Sequence, residues 1–290
     1  MSRPAQRPTH THTHTHTHTH THTHTLLALL ALAACGPKPA ADQQAAATPT
    51  GPNVQTREVE YRSGETVLKG YIAWDSARAG PRPGVLVVHE WWGHNEHVRN
   101  AARRLAEAGY VGFAVDMYGN GKMTAHPDTA QQFMTEALRD TTALLARFEA
   151  ARQELLKDPH VDSARIGAIG YCFGGAVVLS EAEHGADLDA VVTFHGAIPP
   201  GKIDSGAVKG RILIQTGADD PMIPATMVEG LRKSLTAAGA QFEIVTYPGA
   251  KHSFTNPRAD SVGMPQLAYN ADAAAKSWEA MLGLFRQVWP

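Results

Sequence analysis

The sequence contains little cysteine, little net charge and no long hydrophobic run. Two cysteines among 290 residues exclude a fold built on several disulfides. The formal net charge is −2 at pH 7, so the composition gives no indication of a nucleic-acid partner. The apolar run at residues 26–34 is too short to cross a bilayer, which needs about 20 residues. The chain is 43% hydrophobic, which is enough for the core of one large α/β domain.

Residues 1–34 have the composition of a targeting segment. Arg3 and Arg7 precede a Thr-His repeat at residues 9–25, and the apolar run follows and ends in small side chains. A basic start, a short apolar run and small residues predict a signal peptide, so we expect export to the cell envelope. A His-rich tract can bind metal. The repeat lies before the predicted cleavage site, however, and we assign it no role in the mature protein.

Cys35 directly follows the apolar run. The segment Leu32-Ala33-Ala34-Cys35 resembles the lipobox of bacterial lipoproteins. This resemblance implies that Cys35 is lipidated, begins the mature chain and anchors it to a membrane; cleavage without lipidation is the alternative. Residues 35–55 are rich in Ala, Pro, Gln and Thr, so we expect a flexible tether there. The folded domain is expected at residues 56–290.

Residues 56–290 alternate short apolar segments with amphipathic ones. An antiparallel hairpin is predicted at 57–73. Further strands are predicted at 85–89, 110–115, 165–171, 188–194, 211–216 and 242–247, and helices at 96–108, 128–156, 226–238 and 267–289. This order predicts an α/β fold with a doubly wound, mostly parallel sheet and an antiparallel N-terminal edge hairpin. Functional groups of such sheets gather at the carboxyl ends of the strands.

Cys172 lies between a predicted strand and a predicted helix, with Gly170 and Gly174 on either side. This is the strand, sharp turn and helix context of the nucleophile elbow, with Cys where Ser usually stands. The glycines allow the strand and the helix to approach closely. The helix N-terminus favours the thiolate, so Cys172 is a candidate nucleophile. A buried cysteine in an ordinary turn is the alternative.

Cys172, Asp220 and His252 follow one another in the order nucleophile, acid, histidine. That order is typical of α/β-hydrolases and differs from the orders in the two main serine-protease folds. His252 would take the thiol proton, and the acid would orient the imidazole ring. Asp219 competes for the acid role, but we interpret it as a turn residue.

Two backbone N–H groups are predicted to form an oxyanion hole. In this fold one donor belongs to the residue after the nucleophile and the other to the loop after the third strand. These donors are Phe173 and Trp91. Because both are backbone groups, the hole does not depend on their side chains.

A zinc site at His89, Glu90, His94 and His97 is disfavoured. The zincin pattern needs two histidines four residues apart on one helical face. Here the second histidine comes one residue late, and the first lies at a predicted strand end. We therefore predict no metal.

Five segments carry a resemblance to one family. They are His89-Glu90-Trp91-Trp92-Gly93, Asp116-Met117-Tyr118-Gly119, Gly170-Tyr171-Cys172-Phe173-Gly174-Gly175, Asp220, and Gly249-Ala250-Lys251-His252-Ser253-Phe254. Together they resemble the dienelactone hydrolase family, which implies an α/β-hydrolase fold without cofactor or metal and a Cys-His-Asp triad. The resemblance also implies that Glu90 partners the resting thiol. Family members hold a substrate carboxylate with arginines, and the nearest candidate here, Arg258, lies later than the family pattern places it.

The predicted function is hydrolysis of activated carboxylic esters or enol-lactones through an acyl-enzyme. A thiolate is a better leaving group than an ordinary alkoxide, so attack on a simple alkyl ester would tend to reverse. The expected partner is a small-molecule ester or lactone. A broader carboxylesterase or thioesterase is one alternative, and a surface lipoprotein that binds a ligand without turnover is another.

Overall fold

The computed structural model describes residues 51–199 and 203–290, which form one eight-stranded sheet with helices on both faces. The strands are β1 (Val54–Ser63), β2 (Thr66–Asp75), β3 (Arg82–Val88), β4 (Val111–Val115), β5 (Val161–Tyr171), β6 (Ala190–Phe194), β7 (Arg211–Gly217) and β8 (Phe242–Tyr247). The helices are α1 (Glu96–Glu107), α2 (Pro127–Leu138), α3 (Thr141–Leu155), α4 (Phe173–Glu183), α5 (Ala225–Ala238) and α6 (Ala271–Val288), with a short 3-10 turn at Ala259–Val262.

The sheet runs in the order β1-β2-β4-β3-β5-β6-β7-β8. β1 pairs antiparallel with β2, and β2 pairs antiparallel with β4. The remaining pairs are parallel. This arrangement confirms the predicted α/β fold, with its mostly parallel sheet and antiparallel edge hairpin. The carboxyl ends of the parallel strands therefore meet at one edge of the sheet.

The central strands are buried on both faces, which explains their continuous apolar sequences. Side chains alternate across them. In β3, Val85 packs in the layer that contains Phe285 of α6. Its neighbour Leu86 packs in the opposite layer, together with Phe148 of α3. Two apolar layers thus hold the sheet between helices and fix the positions of its strand ends.

Two predicted helix boundaries are wrong. The single helix predicted at 128–156 is two helices, because the Asp140 carboxylate accepts the Ala143 N–H at 2.9 Å and caps a new helix there. The last helix does not begin at Leu267. Asn270 caps it at Ala273, and Leu267 instead pairs with His252 in an isolated parallel bridge.

The predicted signal peptide, the Thr-His repeat and Cys35 lie outside the described residues. β1 begins at Val54, two residues before the expected start of the domain, so the end of the expected tether is part of the sheet. Within 51–199 and 203–290, no helix is both long enough and apolar enough to cross a membrane.

Candidate active site

Cys172 occupies a sharp turn between β5 and α4, as the sequence predicts. Its backbone has φ 51° and ψ −113°, a strained region for a residue with a side chain. A Cβ at Gly170 would lie 2.1 Å from the Gly174 carbonyl oxygen, and one at Gly174 would lie 2.4 Å from the Val88 carbonyl oxygen. These close approaches explain why glycine stands at both positions. They hold a buried thiol at the N-terminus of α4.

Asp220 and His252 form a buried pair beyond the ends of β7 and β8. Asp220 Oδ2 lies 2.8 Å from His252 Nδ1. The other carboxylate oxygen accepts the N–H groups of Met222 and Ile223 at 2.8 and 3.2 Å. The loop after β7 therefore fixes the carboxylate, and the carboxylate in turn orients the His252 ring. Asp219 is exposed and lies in the turn after β7, where its backbone N–H donates to the Ala250 carbonyl.

The environment of His252 favours its charged form. Burial alone would lower the pKa of His252. The negative charge of Cys172 and the hydrogen bond with Asp220 outweigh that effect and raise the pKa to about 10. Nδ1 is engaged with Asp220, whereas the buried Nε2 makes no hydrogen bond within residues 51–199 and 203–290. That nitrogen is free to exchange a proton with a reacting group.

Glu90 is buried at the end of β3, but its partners differ from the expected one. Its two oxygens accept the Ser253 hydroxyl at 2.8 Å and the Asn256 amide at 2.6 Å. Among the described residues no hydrogen bond joins Glu90 to Cys172, so the contact with the resting thiol that the resemblance implies is absent. Charge-assisted bonds from two neutral donors compete with the thiol for the carboxylate.

The two predicted oxyanion donors have no protein partner in the described part of the chain. Phe173 is the first residue of α4, where a helix leaves its N–H groups free. Trp91 follows β3, and its carbonyl accepts the Tyr118 hydroxyl at 3.1 Å. This bond holds the peptide group between Trp91 and Trp92, directly after the predicted Trp91 donor. Both N–H groups are available to a developing negative charge.

Tyr118 is itself held by the Asp116 turn, whose role the sequence motif did not reveal. The Asp116 carboxylate accepts four backbone N–H groups, from Lys69, Tyr118, Gly119 and Gly121. One carboxylate thus ties the loop after β4 to β2. The sequence indicates this role of Asp116 only through its position at the end of a predicted strand.

His195 is a further buried side chain that the sequence reasoning left without a role. It has φ 42° after β6 and is fully buried. Its Nε2 lies 2.8 Å from Thr255 Oγ1, and its ring packs edge-on against His252 with centroids 5.3 Å apart. Burial lowers the pKa of His195, and the charge of His252 adds to this, so the ring is neutral beside its protonated neighbour. Its place at the end of a predicted strand was the only signal.

Two histidines of the disfavoured zinc pattern, His89 and His94, have structural partners. His89 Nδ1 donates to the Glu90 carbonyl at 2.6 Å, and its Nε2 accepts the Met117 N–H at 3.3 Å. His94 Nε2 lies 3.0 Å from the Ala114 carbonyl. Burial lowers the pKa of His89 to about 4, so this ring is neutral. Across 51–199 and 203–290, no three His, Cys, Asp or Glu side chains are grouped to hold a metal ion.

A cleft of about 470 Å³ lies beside Glu90. Asn256, which holds Glu90, lines it together with Trp92, Met123 and Arg258. Arg258 is exposed, and no ion pair within the described ranges involves its guanidinium. The rest of the lining is mixed, with apolar Val262 and acidic Glu96, and such a cleft suits a small organic molecule.

A family model described as "Dienelactone hydrolase family" matches residues 68–289. The chain belongs to the dienelactone hydrolase family. It is thus a dienelactone hydrolase-like member of the hydrolases, and its sheet is that of the α/β-hydrolase fold.

Individual relatives agree with this assignment. A Methylorubrum extorquens protein named "Putative carboxymethylenebutenolidase" is 28% identical over 86% of this chain and 87% of its own length. An Escherichia coli K12 protein of the same name is 30% identical over 76% of this chain and 82% of its own. A solved dienelactone hydrolase-like promiscuous phosphotriesterase from metagenomic libraries is 37% identical, with a TM-score of 0.78, covering 81% of this chain and 98% of that one.

Proposed function

We propose that the chain hydrolyses activated carboxylic esters or enol-lactones through Cys172, His252 and Asp220. The observation that carries this proposal is the buried Asp220–His252 pair. The pKa of His252 is raised by the negative charge of a Cys172 thiolate, which is held at a strained elbow. The raised pKa of His252 keeps its ring protonated at neutral pH. A protonated ring is the partner that a thiolate nucleophile requires.

The reaction proceeds in two halves. The Cys172 thiolate attacks the carbonyl carbon. The resulting oxyanion accepts hydrogen bonds from the backbone N–H groups of Phe173 and Trp91. The carbon–oxygen bond to the leaving group breaks as His252 gives it a proton, leaving a thioester on Cys172. Water then attacks the thioester while His252 takes a proton from it, which releases the acid and restores the starting enzyme.

The substrate class follows from the nucleophile. Because a thiolate leaves a tetrahedral intermediate more readily than an alkoxide, an enol or phenol leaving group favours product and an alkyl one favours reversal. We expect turnover of aryl esters and enol-lactones to exceed that of ethyl esters by orders of magnitude in kcat/KM. Equal turnover of ethyl and aryl esters would support the broader carboxylesterase instead.

Cys172→Ser is the companion test. It keeps the size of the side chain but removes the easily ionised nucleophile, so aryl-ester cleavage should fall by roughly 10²-fold or more. Thermal unfolding followed by circular dichroism checks that the variant is folded. A variant that is folded and fully active would exclude the thiol mechanism, and a wild type that binds substrate without any turnover would support the non-catalytic alternative.

Arg258 is the residue through which we propose that an acidic substrate is held. It lines the cleft beside Glu90, and its guanidinium has no ion-pair partner among the described residues. Arg258→Gln should raise KM for a carboxylate-bearing lactone and leave KM for a neutral aryl ester unchanged. An equal effect on both substrates would exclude the role.

Phosphotriesters are a second candidate substrate class. The solved structure that is 37% identical to this chain is named a promiscuous phosphotriesterase. Thiolate attack at phosphorus, with loss of an aryloxide, uses the same nucleophile and the same backbone donors. Release of the phenol from an aryl dialkyl phosphate, measured for wild type and Cys172→Ser, tests this class.

We also propose that the chain is exported and anchored by a lipid on Cys35. The basic start, the apolar run and the lipobox-like segment support this location in the cell envelope. Fatty-acid labelling and membrane fractionation of the full chain should show a labelled membrane form that Cys35→Ala abolishes. Unlabelled protein in the cytoplasm would contradict it.

A further inference from the structure

A second cavity, of about 240 Å³, lies between α1 and α6. We define the α1–α6 cavity by His97 and Arg104 of α1, Tyr171 at the end of β5, Thr255, and Ala274 and Trp278 of α6. Thr255 lines this cavity, whereas its neighbours Asn256 and Arg258 line the cleft beside Glu90. Residues 255–258 therefore run between the two spaces, which share His97 in their walls.

Two polar groups in the cavity wall lack partners. Tyr171 lines the cavity, and its hydroxyl makes no hydrogen bond within residues 51–199 and 203–290. His97 Nε2 is buried and has no partner among those residues. A buried nitrogen without a hydrogen bond destabilises the fold, and a bound ligand would supply the missing bond. Burial lowers the pKa of His97, so its ring is neutral and can donate without adding charge.

Arg104 supplies the positive charge of the cavity. Its guanidinium carbon lies 3.8 Å from the centre of the Trp278 ring, a stacked position that limits its motion. Its neighbours on the same helix, Arg99 and Arg103, are paired with Glu58 and Glu96. Within the described ranges no carboxylate pairs with Arg104. Tyr171 lines the same cavity as Arg104; burial raises the pKa of Tyr171, and the charge of Arg104 opposes this.

Glu90 is the nearby negative charge, and it acts on both His97 and Tyr171. Its two oxygens are already held by Ser253 and Asn256, on the cleft side of the dividing segment. It therefore does not neutralise Arg104. Trp278 and the small side chains of α6 form the apolar part of the wall, and Asn100, Thr255 and Tyr269 add polar groups.

We propose that the α1–α6 cavity binds a small organic carboxylate. The carboxylate group lies on Arg104 and the Tyr171 hydroxyl, because guanidinium and phenol donate to it without a competing acceptor. The apolar part of the ligand packs against Trp278 and Ala274. This site shares His97 with the cleft but has its own charged group, Arg104, and it does not depend on turnover.

The probe is 3-phenylpropionate, titrated into the full chain by isothermal calorimetry, with the uncharged 3-phenylpropionamide as its control. We expect one saturable site for the acid and at least tenfold weaker binding of the amide. Arg104→Gln and Tyr171→Phe should each weaken binding of the acid about tenfold. Arg103→Gln, a neighbouring arginine that already has partners, should leave it unchanged.

Two further variants locate the bound probe. Ala274→Leu fills the cavity from a helix that tolerates leucine and should abolish binding, whereas Arg258→Gln in the cleft should not alter it. Absence of saturable binding would overturn the proposal. Binding lost in Arg258→Gln but kept in Arg104→Gln and Ala274→Leu would also overturn it, because the probe would then lie in the cleft. Since calorimetry needs no catalysis, either failure is distinct from failure of the proposed function.

Discussion

Cys172 owes its position to several local constraints acting together. The positive φ turns its side chain out of the strand, and Gly170 and Gly174 leave the room that this turn requires. His252 responds to the thiol through a raised pKa, and Asp220 holds the far side of the ring. At this scale the chemistry depends on charge as well as shape.

Asp220→Asn separates charge from shape. The amide keeps the bonds from Met222 and Ile223 but removes the negative charge from the far side of His252. In a serine-protease triad the same change lowers kcat about 10⁴-fold, and we expect a loss of roughly 10²–10⁴-fold in kcat/KM on an aryl ester. Asp219→Asn is the matched control, since this neighbour is exposed and should stay within twofold of wild type. Equal losses in both variants would contradict the assignment.

Much of the site could be predicted from local sequence because its residues end strands. Cys172, Asp220 and His252 each follow a strand that the apolar pattern marks. The partners of Glu90 could not be found that way. Ser253 and Asn256 lie 163 and 166 residues further along the chain, and only the folded sheet brings them to that carboxylate.

Elements were predicted well where the apolar pattern is continuous and less well where a polar side chain decides the boundary. Strands β3 to β8 lie close to their expected positions. The break between α2 and α3 was missed because residues 139–140 contain neither Gly nor Pro. There the capping bond of Asp140 competes with continuation of the helix.

The elbow makes a prediction at the scale of the β5–α4 unit. Gly170→Ala places a methyl group against the Gly174 backbone, so the strand and helix must separate. We expect a loss of about 3 kcal/mol or more in the free energy of unfolding. Gly230 is an exposed position of α5 with no atom near the added carbon. Gly230→Ala should instead raise the free energy of unfolding by about 0.5–1 kcal/mol. Urea unfolding measures both, and similar effects at the two sites would contradict the packing described.

The whole molecule places its chemistry at one edge of a sheet whose two faces are covered by helices. The cleft and the α1–α6 cavity both open near that edge, one on each side of the segment that follows His252. Its overall stability also depends on a buried carboxyl remote from either site. Glu181 of α4 is 6% exposed, and its Oε1 has no partner among the described residues.

Glu181 predicts how stability varies with pH. Burial, aided by the charge of Glu149, raises the pKa of Glu181 to about 8. This carboxyl binds its proton more tightly in the folded than in the unfolded protein. The free energy of unfolding therefore falls as pH rises from about 4.5 to about 8. Glu181→Gln should remove this loss, which is on the order of a few kcal/mol. The free energy of unfolding of the variant should therefore rise relative to that of wild type over this pH range. Urea unfolding at pH 5 and pH 9 measures it, and an identical pH slope in the two proteins would contradict it.

The proposed reaction passes through a thioester on Cys172. Intact-protein mass spectrometry after rapid acid quench of the enzyme with a slowly hydrolysed aryl ester tests this directly. We expect a mass increase of one acyl group, assigned to the peptide that contains Cys172 and absent in Cys172→Ala. Undiminished turnover by Cys172→Ala, or an acyl group on another residue, would contradict it.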